Sequence, residues 1–149
     1  MRKAKQLTAQ RPTMAADPFV GTWKLNVANS KVTDPSAMPK SLIYKAVAID
    51  NGIKDIFDGV DAEGKAFHME APAIYDGKDH PIKGDPRADM LSIRRIDANT
   101  VLVVIKKAGK AISKLQITVS KDGKTRTVAG NSITPKGQPY SGTFVYDKQ

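Results

Sequence analysis

The sequence contains no cysteine. A disulfide framework, a thiolate zinc site, an iron–sulfur cluster and a cysteine nucleophile are therefore excluded, because each of them requires a thiol. Any chemistry must come from oxygen and nitrogen groups. Long apolar runs are missing as well, since no stretch approaches the roughly 18 consecutive apolar residues of a transmembrane helix. We therefore expect no insertion into a membrane.

Aromatic side chains are scarce, with one Trp, four Tyr and four Phe in 149 residues. Nucleic-acid modules usually add exposed aromatics or a recognition helix to a basic surface, and no convincing recognition helix is present. The net charge of +9 is divided between residues 1–16, which carry +4, and the rest of the chain, which carries +5. Because the second part is scattered as Lys in turns, it indicates solubilising charge rather than a nucleic-acid partner.

Residues 1–16 lack a periodic apolar face, and we interpret them as a basic arm outside the folded domain. They have the basic start and the small-residue end of a secretory signal but not its apolar middle. Two interpretations stay open: a disordered arm of a cytoplasmic protein, or the remnant of a shortened precursor of a periplasmic or secreted one. Residues 17–149 form the predicted domain, because a chain of this length suits one domain and not two.

From residue 17 onward, short runs rich in Val, Ile, Thr, Phe and Tyr alternate with turns that contain Gly, Asp, Asn or Pro. Most of the connections are tight turns with Gly or Asn where a hairpin needs positive φ, so consecutive strands should be antiparallel neighbours. The predicted strands span residues 19–27, 41–49, 53–60, 65–75, 90–96, 100–107, 110–119, 124–133 and 140–147.

Such a set of strands leaves two exposed edges unless the sheet closes on itself. The predicted fold is therefore all-β: a single antiparallel up-and-down β-barrel of about 8–10 strands. Only residues 31–40 have room for a helical turn. Pro35 and Pro39 restrict it to a short one that begins at Asp34, with Pro35 in its first position.

Two segments of the sequence are similar to a known superfamily. The run Phe-Val-Gly-Thr-Trp-Lys-Leu at residues 19–25 resembles the opening Gly-x-Trp strand of the calycins, which include the lipocalins and the fatty-acid-binding proteins. Residues 143–149 resemble the closing strand of fatty-acid-binding proteins, and residues 17–149 as a whole are similar to small bacterial lipocalin-like proteins. The resemblance implies a lipocalin-like barrel in which Trp23 plugs the closed end and the lumen holds a small hydrophobic or amphipathic molecule.

The match to fatty-acid-binding proteins is incomplete at two places. That family places an Arg two residues before the closing-strand Tyr to bind a carboxylate; Tyr146 matches the Tyr, but Phe144 stands at the position of the Arg. The family also inserts a helix-turn-helix lid, for which residues 31–40 are too short. We therefore expect a more open mouth, or one covered by loops, with Trp23, Phe144 and Tyr146 as ligand contacts.

Arg95 is a further candidate for ligand binding. Adjacent residues of a strand face opposite sides, so Arg94 and Arg95 point in opposite directions. Arg95 shares its face with Leu91 and Ile93, which form the cleaner apolar stripe, and we expect it to be the Arg that faces the lumen. The alternative, in which both Arg side chains reach water at the strand end, stays open.

Histidine is the only side chain with an ordinary pKa near neutrality, so any acid–base hypothesis falls on the two His residues. His68 and Glu70 lie two apart on one predicted strand and share a face. This pair supports an alternative function, hydrolysis of an ester or lactone with His68 as base and Glu70 orienting it. The first hypothesis remains ligand binding without catalysis, and a structural or partner-binding role is the third. No metal or other cofactor is expected.

Overall fold

The computed structural model describes residues 17–134 and 136–149, so the predicted arm at residues 1–16 lies outside the described residues. Eleven strands are present in this part of the chain. They are β1 (Gly21–Leu25), β2 (Lys31–Val32), β3 (Ser41–Ile49), β4 (Gly52–Val60), β5 (Ala66–Ile74), β6 (His80–Pro81), β7 (Met90–Asp97), β8 (Thr100–Lys107), β9 (Lys110–Val119), β10 (Thr125–Ile133) and β11 (Pro139–Lys148).

The strands form one antiparallel sheet in the order β5-β4-β3-β1-β11-β10-β9-β8-β7-β6, and β2 pairs with β11 beyond the end of β1. The two ends of this order meet. The backbone N–H of Glu70 in β5 donates to the carbonyl of Lys83 at 3.0 Å, and the N–H of Lys83, just after β6, donates back at 2.8 Å. The sheet is thus a nearly closed barrel, and the predicted all-β antiparallel barrel is confirmed.

The nine predicted strands correspond to β1, β3, β4, β5 and β7–β11, with ends that differ by two residues or fewer. The short strands β2 and β6 were not predicted, because two residues cannot show an alternating pattern. A 3₁₀ turn at Pro35–Ala37 lies where the helical turn was expected, with the Asp34 side chain accepting from the N–H of Ser36. A second 3₁₀ turn, Val27–Asn29, was not expected. Asn26 caps this turn, so β1 ends two residues before the predicted end at residue 27.

We call the two ends of the barrel the base and the mouth. The base carries residues 17–20 and the β3–β4 and β7–β8 turns, and the mouth carries residues 26–40 and the β4–β5 turn. No helix in the described part of the chain has the length and apolar character needed to cross a membrane.

Alternate residues of each strand point into the barrel and pack into one core. The inward-facing residues near the base are the most completely buried; they include Trp23, Ile53, Ala73, Val101 and Val119. Several apolar residues on the same inner faces but farther from the base are only half-buried, namely Phe57, Phe67, Ile105, Leu115 and Phe144. The core is therefore most completely buried near the base and less so toward the mouth.

Candidate functional site

Four polar side chains meet inside the barrel: Tyr44 of β3, Asp55 of β4, Arg126 of β10 and Tyr146 of β11. We call them the inner polar cluster. All four are buried, including the charged Arg126 at 4% exposure. Burying a charged group is costly unless its hydrogen bonds and charge are compensated, so a cluster of this kind in a small core suggests a function other than stability.

Arg126 is the centre of the cluster. Its guanidinium carbon lies 4.0 Å from the ring centroid of Tyr44 and 4.9 Å from that of Tyr146, which are cation–π contacts. Among the described residues, its Nε and Nη1 atoms have no hydrogen-bond partner. Ring faces stabilise the positive charge, but they do not satisfy donors in the plane of the guanidinium. Two buried nitrogens, which carry three N–H groups, are therefore available to an acceptor from a ligand.

Asp55 is linked to the cluster through Tyr44, whose hydroxyl donates to the Asp55 carboxylate. Burial raises the pKa of Asp55 to about 6, although the Tyr44 hydrogen bond and the charge of Arg126 act in the opposite direction. Burial, and after it the charge of Asp55, raises the pKa of Tyr44 well above its ordinary value. Tyr44 is thus a neutral donor at physiological pH, whereas the carboxyl of Asp55 titrates near that pH.

Sequence reasoning missed both charged members of the cluster, although a signal for each was present. Arg126 lies two residues before Val128, and Asp55 lies between Ile53 and Phe57 at alternate positions of a strand. Period-two alternation alone places these residues on the inner face. For both residues, the signal of a buried polar site was a charged side chain at an inward-facing position.

The predicted contacts at the end of the chain lie close to Arg126. Tyr146 is buried and stands directly opposite Arg126 in the β10–β11 register, while Phe144 is half-buried on the same face. A guanidinium thus lies beside Tyr146, and it comes from the neighbouring strand rather than from position 144. Burial raises the pKa of the Tyr146 hydroxyl, and the Arg126 charge partly offsets that rise.

Trp23 lies at the base of the barrel. It is fully buried, its indole Nε1 donates to the carbonyl of Phe19 at 3.2 Å, and the ammonium of Lys148 lies 4.9 Å from its ring. These contacts agree with a plug at the closed end. A direct contact between Trp23 and a ligand stays a prediction.

Arg95 shares the inner face of β7 with Leu91 and Ile93, as expected, but it lies at the base and outside the inner polar cluster. Its guanidinium stacks 4.4 Å from the ring centroid of Tyr75, and its Nη2 lies 3.3 Å from a carboxylate oxygen of Asp17. It borders a cleft of about 480 Å³ at the base, lined by Asp17, Pro18, Val20, Ala48, Ile49, Asp50, Gly52, Tyr75, Arg95 and Ala98.

His68 and Glu70 point away from the lumen, because Ala71 and Ala73 of the same strand occupy its inner face. His68 Nδ1 lies 2.5 Å from Asp58, its Nε2 lies 2.7 Å from Glu70, and its side chain is 52% exposed. The hydrogen bonds to Asp58 and then Glu70 raise the pKa of His68. The geometry thus gives no support to hydrolysis by this pair inside the barrel.

The His68 group also lacks the arrangement of a metal site. The two carboxylates bind opposite nitrogens of one ring, so the three side chains do not converge on a point. Across residues 17–134 and 136–149, no group of three His, Asp or Glu side chains could hold a metal ion.

Comparisons with known proteins give a structural likeness only. No family model matches the sequence, and no curated protein matches it. The structure is similar to that of the zebrafish ileal bile acid-binding protein complexed with cholic acid, with a TM-score of 0.53 and 9% sequence identity; the match covers 89% of this chain and 99% of that one. The chain therefore has the calycin type of β-barrel fold, as the two terminal segments had suggested.

Proposed function

We propose that the protein binds a small amphipathic anion in the barrel lumen, with Arg126 as the residue that binds the negative charge. The observation that carries this proposal is the buried guanidinium of Arg126, which contacts two Tyr rings and has Nε and Nη1 unpaired among the described residues. The similar barrel of a bile acid-binding protein, which was solved with cholic acid, supports a ligand inside the barrel.

The apolar part of the ligand would lie between the inner polar cluster and the mouth. Half-buried Phe57, Leu115 and Phe144 line this part of the inner wall, and covering them with a ligand would remove apolar surface from water. The charged head would accept hydrogen bonds from Arg126, and Tyr146 stands beside it in register. Charge-assisted hydrogen bonds are strong where water is excluded, so a small head group would contribute much of the affinity.

The base cleft beside Arg95 is a second candidate for the ligand, because its volume lies in the range of small-molecule sites. The guanidinium of Arg95, however, already has an acceptor in Asp17, and it stacks on Tyr75. An anion there would compete with an existing ion pair. For this reason we place the anion at Arg126 and use Arg95 as the comparison.

The test uses two fluorescent probes that differ by one charge, 8-anilinonaphthalene-1-sulfonate and the neutral N-phenyl-1-naphthylamine. Arg126→Met should weaken binding of the sulfonate by about 10- to 100-fold, the loss of one charge-assisted hydrogen-bonded site, and leave the neutral probe nearly unchanged. Arg95→Met should bind both probes as the wild type does.

Near-ultraviolet circular dichroism of each variant checks that the barrel is intact. Sulfonate binding that is unchanged in Arg126→Met would contradict the proposal. Loss of binding in Arg95→Met alone would move the ligand to the base cleft.

A further inference from the structure

The inner polar cluster contains two groups of opposite charge that do not meet. Asp55 accepts a hydrogen bond from the Tyr44 hydroxyl, whereas Arg126 lies against the Tyr44 ring, and no direct ion pair joins them among the described residues. A ligand anion at Arg126 would therefore be buried close to a second negative charge, that of Asp55. Two negative charges and one positive charge at low dielectric are unfavourable.

We propose that Asp55 determines the charge specificity of this site, so that one negative charge is bound together with one proton that Asp55 takes from solvent. The inference rests on the proposed function and extends it to the ionic form that is bound. With Asp55 protonated, the occupied cluster contains one guanidinium and one anion and is neutral. A dianion would leave a net negative charge and is disfavoured.

The surroundings of Asp55 favour this protonation. Tyr44 of β3 and Arg126 of β10 face Asp55. Tyr146 of β11 contacts the guanidinium of Arg126. The register partner of Asp55 on β5 is the apolar Ala71, so no second acid or base is contributed from that side. A protonated Asp55 can still accept from Tyr44 through its carbonyl oxygen. Burial has already brought the pKa of Asp55 to about 6, so little further free energy is needed near neutral pH.

The same two probes test the coupling between pH 5 and pH 7.5, because the sulfonate is an anion throughout this range. Sulfonate affinity of the wild type should fall as the pH rises, by about 10- to 30-fold in total, since each unit above the pKa of Asp55 lowers the protonated fraction about tenfold. The neutral probe should show no such fall. Calorimetry at pH 7.5 in two buffers of different ionisation enthalpy should report uptake of close to one proton per sulfonate bound.

Asp55→Asn is the main variant, because an amide has nearly the same shape and is always neutral. It should bind the sulfonate at pH 7.5 about as tightly as the wild type does at pH 5. His68→Gln, on the outer face, should keep the wild-type pH dependence. If Asp55→Asn does not fold, Tyr44→Phe removes the hydrogen bond that lowers the pKa of Asp55, so the midpoint should move to higher pH.

Flat sulfonate affinity in the wild type, with Arg126→Met still weakened, would overturn the coupling and leave the proposed function intact. Sulfonate binding that is independent of Arg126 would overturn the proposed function itself. A pH dependence that persists in Asp55→Asn and disappears in His68→Gln would assign the proton to the outer face and refute the role of Asp55.

Discussion

Arg126 and Asp55 place two charged groups in a small core whose other residues are mostly apolar. Each occupies an inward position that a Val or Leu could fill. Arg126 is buried with two nitrogens unpaired among the described residues, and burial raises the pKa of Asp55. Replacing buried charged groups with apolar residues is often neutral or stabilising. We therefore expect these two residues to contribute to binding rather than to stability.

The raised pKa of Asp55 predicts a specific dependence of stability on pH. Its pKa is about 6 in the folded protein against 3.8 in the unfolded chain, so the folded state binds the proton more tightly. The free energy of unfolding should therefore decrease as the pH rises from about 4 through 6 and then level off. A shift of this size corresponds to about 3 kcal/mol.

Urea denaturation of the wild type and Asp55→Asn across pH 4 to 7.5 measures this effect. The difference between the two proteins should change by about that amount within the window, because all other titrating groups are shared. A constant difference would show that Asp55 has an ordinary pKa in the folded protein.

At the scale of the elements, the weakest join of the barrel is between β5 and the residues after β6. Within residues 17–134 and 136–149, only the Glu70–Lys83 backbone pair closes it, whereas neighbouring long strands pair along most of their length. Gly84 follows directly, with φ of +92° and with an added Cβ only 2.3 Å from the carbonyl oxygen of His68. A side chain at position 84 would force the two backbones of this seam apart.

Gly84→Ala should therefore destabilise the protein more than Gly77→Ala. Both glycines have positive φ, but an added Cβ at Gly77 meets nothing within 4 Å. Gly77→Ala should cost about 1 to 2 kcal/mol from backbone strain alone. Gly84→Ala should cost roughly 1 to 3 kcal/mol more, and amide exchange of Glu70 and Lys83 should accelerate.

Chemical denaturation and hydrogen exchange measure the two effects separately. Equal destabilisation by both substitutions, with no change in exchange at Glu70, would show that the seam tolerates a wider spacing.

For the molecule as a whole, the described residues alone supply the strands, the core and the closed base. Asp17 begins this part; its carboxylate accepts from the N–H of Phe19 and the hydroxyl of Tyr75 and pairs with Arg95. We therefore expect residues 17–149 to fold by themselves, as the predicted domain boundary implies.

Deletion of residues 1–16 should lower the melting temperature by less than about 5 °C, which corresponds to roughly 1 to 2 kcal/mol for a domain of this size. Calorimetric melting of the full chain and of residues 17–149 compares them directly. A larger decrease would show that residues 1–16 pack against the domain. The base cleft beside Asp17 would then be the first place to look for them.

The sequence by itself determined the strands, the turns and the barrel class. Inward and outward residues alternate with period two, and Gly or Asn occupies most of the hairpin turns, so each long strand could be identified from neighbouring residues alone. Arg95 was also placed on the inner face in this way, whereas Trp23 and Tyr146 were placed by the resemblance to the calycins. These are local properties, because the period and the turn chemistry depend on residues that are close along the chain.

Only the tertiary structure decided which polar residues meet. Tyr44 and Arg126 lie far apart in sequence. They come together because only two strands, β1 and β11, lie between β3 and β10 in the curved sheet. Their contact depends on the register of each strand against its neighbours. The alternation of inward and outward residues does not predict that register. The same reason explains His68: its pairing with Glu70 was predicted, but the side of the barrel on which the pair lies depends on which face of β5 the closed sheet turns inward.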